Sequence, residues 1–186
     1  MPDRRPRLPS PTRDADCRIL ANERAGDLLK KGENDRSRGG GYVNRLIKVF
    51  ADIKMRFDTK WTLSFPPFEL RADDIVIEGD DNDILRELGI AGKVLYTPGH
   101  CVDHQVLALD TGMTLCGDAA AGFLLWAGTK YCTVFMTDME QGYESWQKMI
   151  DGGSRILYPA HGKPFSVDKL KEYKDRIKTE DLVRFF

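Results

Sequence analysis

Apolar residues recur along the first half of the chain at spacings that predict short strands and amphipathic helices. Cys17 to Ala21 is predicted to form a strand, and Glu23 to Lys31 a helix that Gly32 ends. Tyr42 to Phe57 has the spacing of a second, amphipathic helix. Its apolar stripe, which we expect to pack into the core, comprises Tyr42, Val43, Leu46, Ile47, Phe50 and Ile53.

The second half of the chain predicts several short strands and two further helices. Strands are expected at Asp74–Glu78, Lys93–Tyr96, His104–Leu109, Met113–Cys116 and Ile156–Tyr158, the last of which is expected to be buried. Asp110-Thr111-Gly112 has the composition of a hairpin turn. One helix follows the capping-box pattern Thr137-Asp138-Met139-Glu140, ends at Gly152 and is expected to pack on the sheet through Met139, Tyr143, Trp146 and Ile150. Another is expected from Ser166 to Lys178, with Val167, Leu170, Tyr173 and Ile177 inward.

Composition and charge narrow the class of protein. The chain has 186 residues, of which 41% are hydrophobic and 31% charged, with a formal net charge of -1. This balance is typical of one globular domain and gives no sign of nucleic-acid binding. No apolar run reaches the length of a membrane span, and the start of the chain lacks the apolar core of a signal peptide. We therefore expect a cytoplasmic protein without nucleic-acid or membrane partners.

The first sixteen residues differ from the rest of the chain. Arginine and proline alternate there, a composition that neither packs a core nor sustains a helix or strand. The sequence thus predicts a flexible tail at 1–16 and a domain at 17–186. The four cysteines, at positions 17, 101, 116 and 132, form no C-x-x-C pair, so reduced and mostly buried thiols are expected.

Three turns carry the residues that are candidates for metal binding or catalysis. They are Thr97-Pro98-Gly99-His100, Cys116-Gly117-Asp118 and Pro159-Ala160-His161-Gly162. Each follows a predicted strand and contains a glycine beside a histidine or an aspartate, which permits the sharp bend that presents a side chain. Imidazole and carboxylate ligands suit zinc, and mixed nitrogen and oxygen sites also accept iron or manganese.

Together these turns resemble the metallo-β-lactamase superfamily, with a match from about Cys17 to Pro164. The resemblance implies an α/β fold, an αββα sandwich of two mixed sheets between outer helices. It gives His100 and His161 the roles of ligands to a first and a second metal, and Asp118 that of the catalytic carboxylate bridging them. One or two zinc ions, with iron or manganese as alternatives, would generate a hydroxide nucleophile and polarise a small-molecule substrate.

Residues near these turns receive supporting roles from the same resemblance. Asp103 and His104 match positions beside the site, and His104 is expected to be a hydrogen-bonded neighbour rather than a ligand. Cys101 and Cys116 are alternatives as thiolate ligands, although burial as small hydrophobic residues is the favoured interpretation. Helical segments before the first turn often cover the site in relatives, so residues 42–68, which contain Trp61, form an alternative substrate-facing wall.

One departure from the superfamily matters for function. Its H-x-H-x-D-H motif lies upstream of the first turn, and this chain has no histidine before His100. The remaining ligands would hold one metal weakly, or none. Residues 1–16 stand where the motif is expected, which points to an N-terminally truncated domain, by a frame shift or a misassigned start. Loss of the first strands would leave a sheet edge unpaired, so a homo-oligomer is predicted.

Two functions follow from these observations. The first is a metal-dependent hydrolase that acts on a thioester, ester, lactone or phosphoester by metal-bound hydroxide, impaired by the missing motif. The alternative is an inactive remnant of the fold that serves as an oligomeric or binding scaffold. The superfamily resemblance alone does not select a β-lactam or any other substrate.

Overall fold

The computed structural model describes residues 17–33, 40–57 and 65–184. The elements in these residues are β1 Leu20–Asn22, α1 Ala25–Lys31, β2 Gly41–Tyr42, α2 Arg45–Phe57, β3 Ile75–Ile77, α3 Ile84–Glu87, β4 Gly92–Tyr96, β5 Gln105–Leu109, β6 Met113–Gly117, β7 Phe135–Met136, α4 Met139–Asp151, β8 Ile156–Pro159, β9 Phe165–Ser166, α5 Asp168–Tyr173 and β10 Val183–Arg184. Short 3₁₀ turns cover Leu125–Ala127 and Thr179–Asp181. The predicted tail at 1–16 and Trp61 lie outside the described residues.

A five-stranded mixed sheet, in the order β4-β5-β6-β8-β9, carries the candidate residues. Strand β5 runs antiparallel to β4 and β6, whereas β6 and β8 run parallel. The hairpin between β5 and β6 turns at Asp110–Gly112, as the sequence predicts. Two smaller sheets pair β1 with β3 in parallel, and β2 with β7 and β10 in antiparallel. The predicted α/β class with mixed sheets is confirmed.

Helix α4 supplies the largest buried side chains of the main core. Met139, Tyr143, Trp146 and Met149 are buried, and the indole N–H of Trp146 donates to the Ala119 carbonyl at 2.7 Å. The predicted face is thus correct, with Met149 more deeply buried than the expected Ile150. No helix in the described ranges is long and apolar enough to cross a bilayer.

The prediction that the apolar stripe of α2 is core is wrong in part. Tyr42 is buried in β2, between β7 and β10, so the helix begins only at Arg45. The Asn44 side chain accepts from the Ile47 N–H and fixes the first turn, which directs Ile47 and Ala51 into the core. The exposed apolar face of α2 therefore consists of Leu46, Val49, Phe50, Ile53 and Phe57.

Two predictions near the end of the chain also need correction. The last helix ends at Tyr173 instead of Lys178, because Lys174 leaves the helical conformation with ψ 141° and Asp175 follows with a positive φ of 63°. Ile177 is nevertheless buried, and its N–H donates to the Tyr143 hydroxyl at 2.9 Å. Strand β8 is not buried throughout, since alternation directs only Leu157 into the core.

Candidate metal centre

The first turn, Thr97 to His100, is held against the beginning of α4. The Gly99 carbonyl accepts hydrogen bonds from the Thr137 N–H at 2.8 Å, the Thr137 hydroxyl at 2.8 Å and the Asp138 N–H at 3.0 Å. Gly99 has φ 135°, and a Cβ there would lie 2.5 Å from the backbone of Gly142. Glycine alone fits this approach, and the turn then presents His100 at a fixed place.

The imidazole of His100 is oriented by a backbone carbonyl. Its Nδ1 lies 2.9 Å from the Phe135 carbonyl oxygen and 3.2 Å from the Thr133 hydroxyl. Since a carbonyl only accepts, we assign the ring proton to Nδ1. The other ring nitrogen, Nε2, lies on the side of the Asp118 carboxylate, with 3.9 Å between Nε2 and Oδ2. This carbonyl-to-imidazole arrangement is the usual support of a metal-binding histidine.

His104 uses both ring nitrogens within the protein. Its Nδ1 lies 2.9 Å from the Thr97 hydroxyl, and its Nε2 accepts the Asp118 N–H at 3.1 Å. Burial, followed by the nearby His100, lowers the pKa of His104 to about 4, which favours a neutral ring. The ring also lies against Gly117, where a Cβ would approach Nε2 to 3.0 Å. His104 therefore positions the backbone of Asp118, and neither of its ring nitrogens is available to coordinate a metal.

Asp118 lies between two histidines at the end of β6. Its Oδ2 faces His100, and its Oδ1 lies 3.7 Å from His161 Nε2. Oδ1 is buried and has no hydrogen-bond partner among the described residues. His161 is more exposed, with its ring tilted against Phe123 at 6.2 Å between centroids. Gly162 allows the bend behind it, because a Cβ there would lie 2.2 Å from the Gly122 carbonyl.

The distances between the imidazole nitrogens and the carboxylate oxygens are close to those of a metal centre. Two ligands of one tetrahedral zinc ion are separated by about 3.4 Å when each lies about 2.1 Å from the metal. The gaps of 3.7 and 3.9 Å on either side of Asp118 are near this separation and too long for hydrogen bonds. The unpartnered Oδ1 is the atom that a bound cation would satisfy.

The number of protein ligands on each side of Asp118 is smaller than the three of a catalytic zinc site. No group of three or more histidine, cysteine, aspartate or glutamate side chains that could hold a metal lies within the part of the chain that the structure describes. His100 and His161 face opposite oxygens of Asp118, so each side offers one imidazole and one carboxylate oxygen. The donor atoms of these residues are thus of the types that bind a metal, but the number of protein ligands is lower than in a complete site.

Of the two cysteines near the site, Cys116 is buried as predicted and Cys101 is only partly buried. Burial raises the pKa of the Cys116 thiol to about 12, and this side chain is fully buried. Burial, and then the charge of Asp103, raises the pKa of the Cys101 thiol as well. Neither is poised to be a thiolate at neutral pH. Asp103 lies half-buried beside Cys101, in the turn between His100 and β5.

Several supporting residues could not be found from the sequence. Thr97 orients His104, Thr133 lies beside His100, and Thr137 holds Gly99 through its hydroxyl. The Ser145 hydroxyl, on α4, donates to the Pro98 carbonyl at 2.7 Å. Thr97 alone among these four could have been suspected from the sequence, since it is part of the first turn. The other three are distant in sequence from the residues that they contact.

Comparisons with known proteins find similarity to beta-lactamase-like and metallo-β-lactamase proteins. No family model matches the chain. A 70-residue stretch is 31% identical to the beta-lactamase-like protein 2 homolog of Drosophila melanogaster, which amounts to 38% of this chain and 21% of that protein. The predicted resemblance is confirmed. It is a similarity over part of each protein.

Two solved structures are similar to this chain. One is an archaeal metallo-β-lactamase superfamily protein from Sulfolobus tokodaii, at 19% identity and a TM-score of 0.48. The other is a metallo-β-lactamase family protein from Thermus thermophilus, at 21% identity and a TM-score of 0.48. Each match covers 86% of this chain, and 57% and 52% of the two solved chains respectively. The chain thus spans little more than half the length of the solved structures that it resembles.

Proposed function

We propose that this chain belongs to the metallo-β-lactamase superfamily and carries part of a hydrolytic metal centre made by His100, Asp118 and His161. One observation carries this proposal. A half-buried carboxylate lies between two imidazole nitrogens, and its buried Oδ1 has no hydrogen-bond partner among the described residues. A buried carboxylate oxygen without a hydrogen-bond donor is an atom that a bound cation would satisfy.

The chain's own residues hold this carboxylate ready. His104 accepts the Asp118 N–H and stays neutral, so it fixes the backbone without adding a positive charge beside the carboxylate. The Phe135 carbonyl accepts a hydrogen bond from His100 Nδ1 and holds the ring with Nε2 on the side of Asp118. Zinc, or iron or manganese, would supply activation of water and polarisation of a carbonyl or phosphoryl oxygen. The substrate classes proposed are small thioesters, esters, lactones and phosphoesters.

A second function rests on the number of ligands. The described residues give each oxygen of Asp118 one histidine, which is fewer than the three protein ligands of a catalytic zinc site. A chain with this set alone would retain the scaffold and lose the reaction. We therefore keep an inactive binding or oligomeric scaffold as the alternative. The homo-oligomer expected from an unpaired sheet edge stays a prediction under both functions.

Hydrolysis assays separate the two functions. The purified chain is incubated with zinc, iron or manganese and a panel of chromogenic esters, thioesters, lactones and phosphodiesters. A hydrolase predicts a rate that requires added metal and that falls by about 100-fold or more in Asp118→Asn, because the substitution removes a ligand charge. The substitution Asp110→Asn, at an exposed aspartate paired with Arg86, serves as the control. Equal rates with and without metal, or in both variants, would favour the scaffold.

A further inference from the structure

Helix α2 and the 3₁₀ turn at Leu125–Ala127 together form one exposed apolar surface. Phe57 is 82% exposed and Trp126 is 73% exposed, values that are unusual for such large side chains. Phe50 joins the two elements, with its ring in edge contact with Trp126 at 5.6 Å between centroids. We define the α2 surface as Leu46, Val49, Phe50, Ile53, Phe57 and Trp126.

The α2 surface is held together by specific bonds. The Asn44 amide donates to the Ala127 carbonyl at 2.9 Å, and its oxygen accepts the Ile47 N–H. One side chain thus caps the helix and holds the turn that carries Trp126. Ile47 and Ala51 anchor the opposite side of the helix in the core. The exposed apolar residues are therefore presented by fixed elements.

Basic residues accompany this surface on α2. The helix contains Arg45, Lys48, Lys54 and Arg56 against the single acid Asp52. At about 100° per residue, Arg45 and Arg56 border the apolar face on one side and Lys54 on the other. Lys48 pairs with Asp52 at 2.6 Å, farther around the helix. The whole chain has a net charge of -1, so this positive charge is local.

We propose that the α2 surface binds the headgroup region of an anionic lipid membrane. A helix with an apolar face of Phe, Leu and Ile, a Trp beside it and basic residues along its borders is the pattern of a helix that lies in the membrane interface. The apolar side chains would enter the acyl boundary, and Arg45, Lys54 and Arg56 would meet lipid phosphates. This departs from the absence of a membrane partner expected from overall composition, because the net charge of the chain conceals the basic helix.

A second copy of the chain fits the same surface less well. A two-fold dimer would bring each α2 against its own copy and place like charges along both borders of the contact. Anionic lipid instead offers opposite charge to every one of these positions. The dimer remains an outcome that the experiment identifies.

Vesicle flotation tests this proposal with the purified chain. Vesicles of phosphatidylcholine alone are compared with vesicles containing about 30% phosphatidylserine, at low and high salt. We expect binding to the anionic vesicles that weakens with salt and is small on neutral ones. Ile53→Glu should lower the partition coefficient about tenfold or more, because it removes an apolar side chain that enters the membrane and adds a negative charge. The substitution Ile90→Glu, at an exposed isoleucine outside α2, should leave the partition coefficient unchanged.

Two further variants separate the apolar and charged contributions. The double variant Arg45→Gln and Arg56→Gln should weaken binding to anionic vesicles by about fivefold for each charge removed. Trp126→Phe should abolish most of the blue shift in fluorescence that vesicles cause. Absence of binding to anionic vesicles, equal binding to neutral ones, or equal loss in Ile53→Glu and Ile90→Glu would overturn the proposal. A dimer by light scattering that Ile53→Glu alone dissociates would also overturn it and assign the surface to a second copy.

Discussion

At the scale of single residues, the candidate centre depends on side chains and backbone groups whose positions are fixed by hydrogen bonds and by close packing. His104 has one nitrogen on Thr97 and the other on the Asp118 N–H. Gly99 receives three hydrogen bonds on one carbonyl and leaves no room for a side chain. These contacts fix the backbone of Asp118 and the turn that carries His100.

We expect His104→Ala to destabilise the folded chain by about 2 kcal/mol, because it leaves the Thr97 hydroxyl and the Asp118 N–H without their partner. Thr97→Val should lower the free energy of unfolding by about 1 kcal/mol. The double variant of His104→Ala and Thr97→Val should lose less than the sum of the two single losses, since the two side chains share one hydrogen bond. Urea denaturation measures all three. Strictly additive effects would show that the hydrogen bond between them contributes nothing to stability.

Gly99→Ala should destabilise the chain by more than about 3 kcal/mol, because it forces a Cβ against Gly142 at an unfavourable φ. Gly89→Ala is the matched control. Gly89 also has a positive φ, of 78°, but open space around it, so only about 1 kcal/mol is expected. Similar midpoints of unfolding for the two variants would contradict the close approach of the turn to α4.

At the scale of elements, helical spacing predicted where helices lie better than which face they bury. The spacing of Met139, Tyr143 and Trp146 indicated the correct buried face of α4, since this helix packs on the sheet along its length. The same reasoning was wrong in part for α2, whose buried side is set by Asn44 and by the pairing of β2. The contacts that hold Asn44 and β2 are long-range, and no local pattern in the sequence reveals them.

The cap of α4 gives a prediction at this scale. The Asp138 side chain accepts the Gln141 N–H at 3.1 Å, so Asp138→Ala should destabilise the chain by about 1 kcal/mol. Glu144→Ala, at an exposed position in the middle of the same helix, should change stability by less than about 0.5 kcal/mol. Thermal unfolding followed by circular dichroism compares them, and an equal loss in both would mean that the cap is not a specific contribution.

At the scale of the whole molecule, the three turns that are far apart in sequence meet at one edge of the main sheet. Their convergence was predictable, because a strand that runs into a glycine-containing turn precedes His100, Asp118 and His161 in each case. The network behind them was not, since Thr133 and Thr137 act through bonds across long sequence distances. The incomplete ligand set was also visible in the sequence, in the absence of any histidine before His100.

The metal content of the purified chain tests the central claim most directly. Elemental mass spectrometry is applied to protein prepared without chelator and then exposed to zinc, iron or manganese. We predict metal that is retained in the parent chain and in Asp110→Asn, lost in Asp118→Asn and reduced in His100→Ala, because Asp118 faces both histidines. A parent chain without metal, or an unchanged content in Asp118→Asn, would contradict this claim.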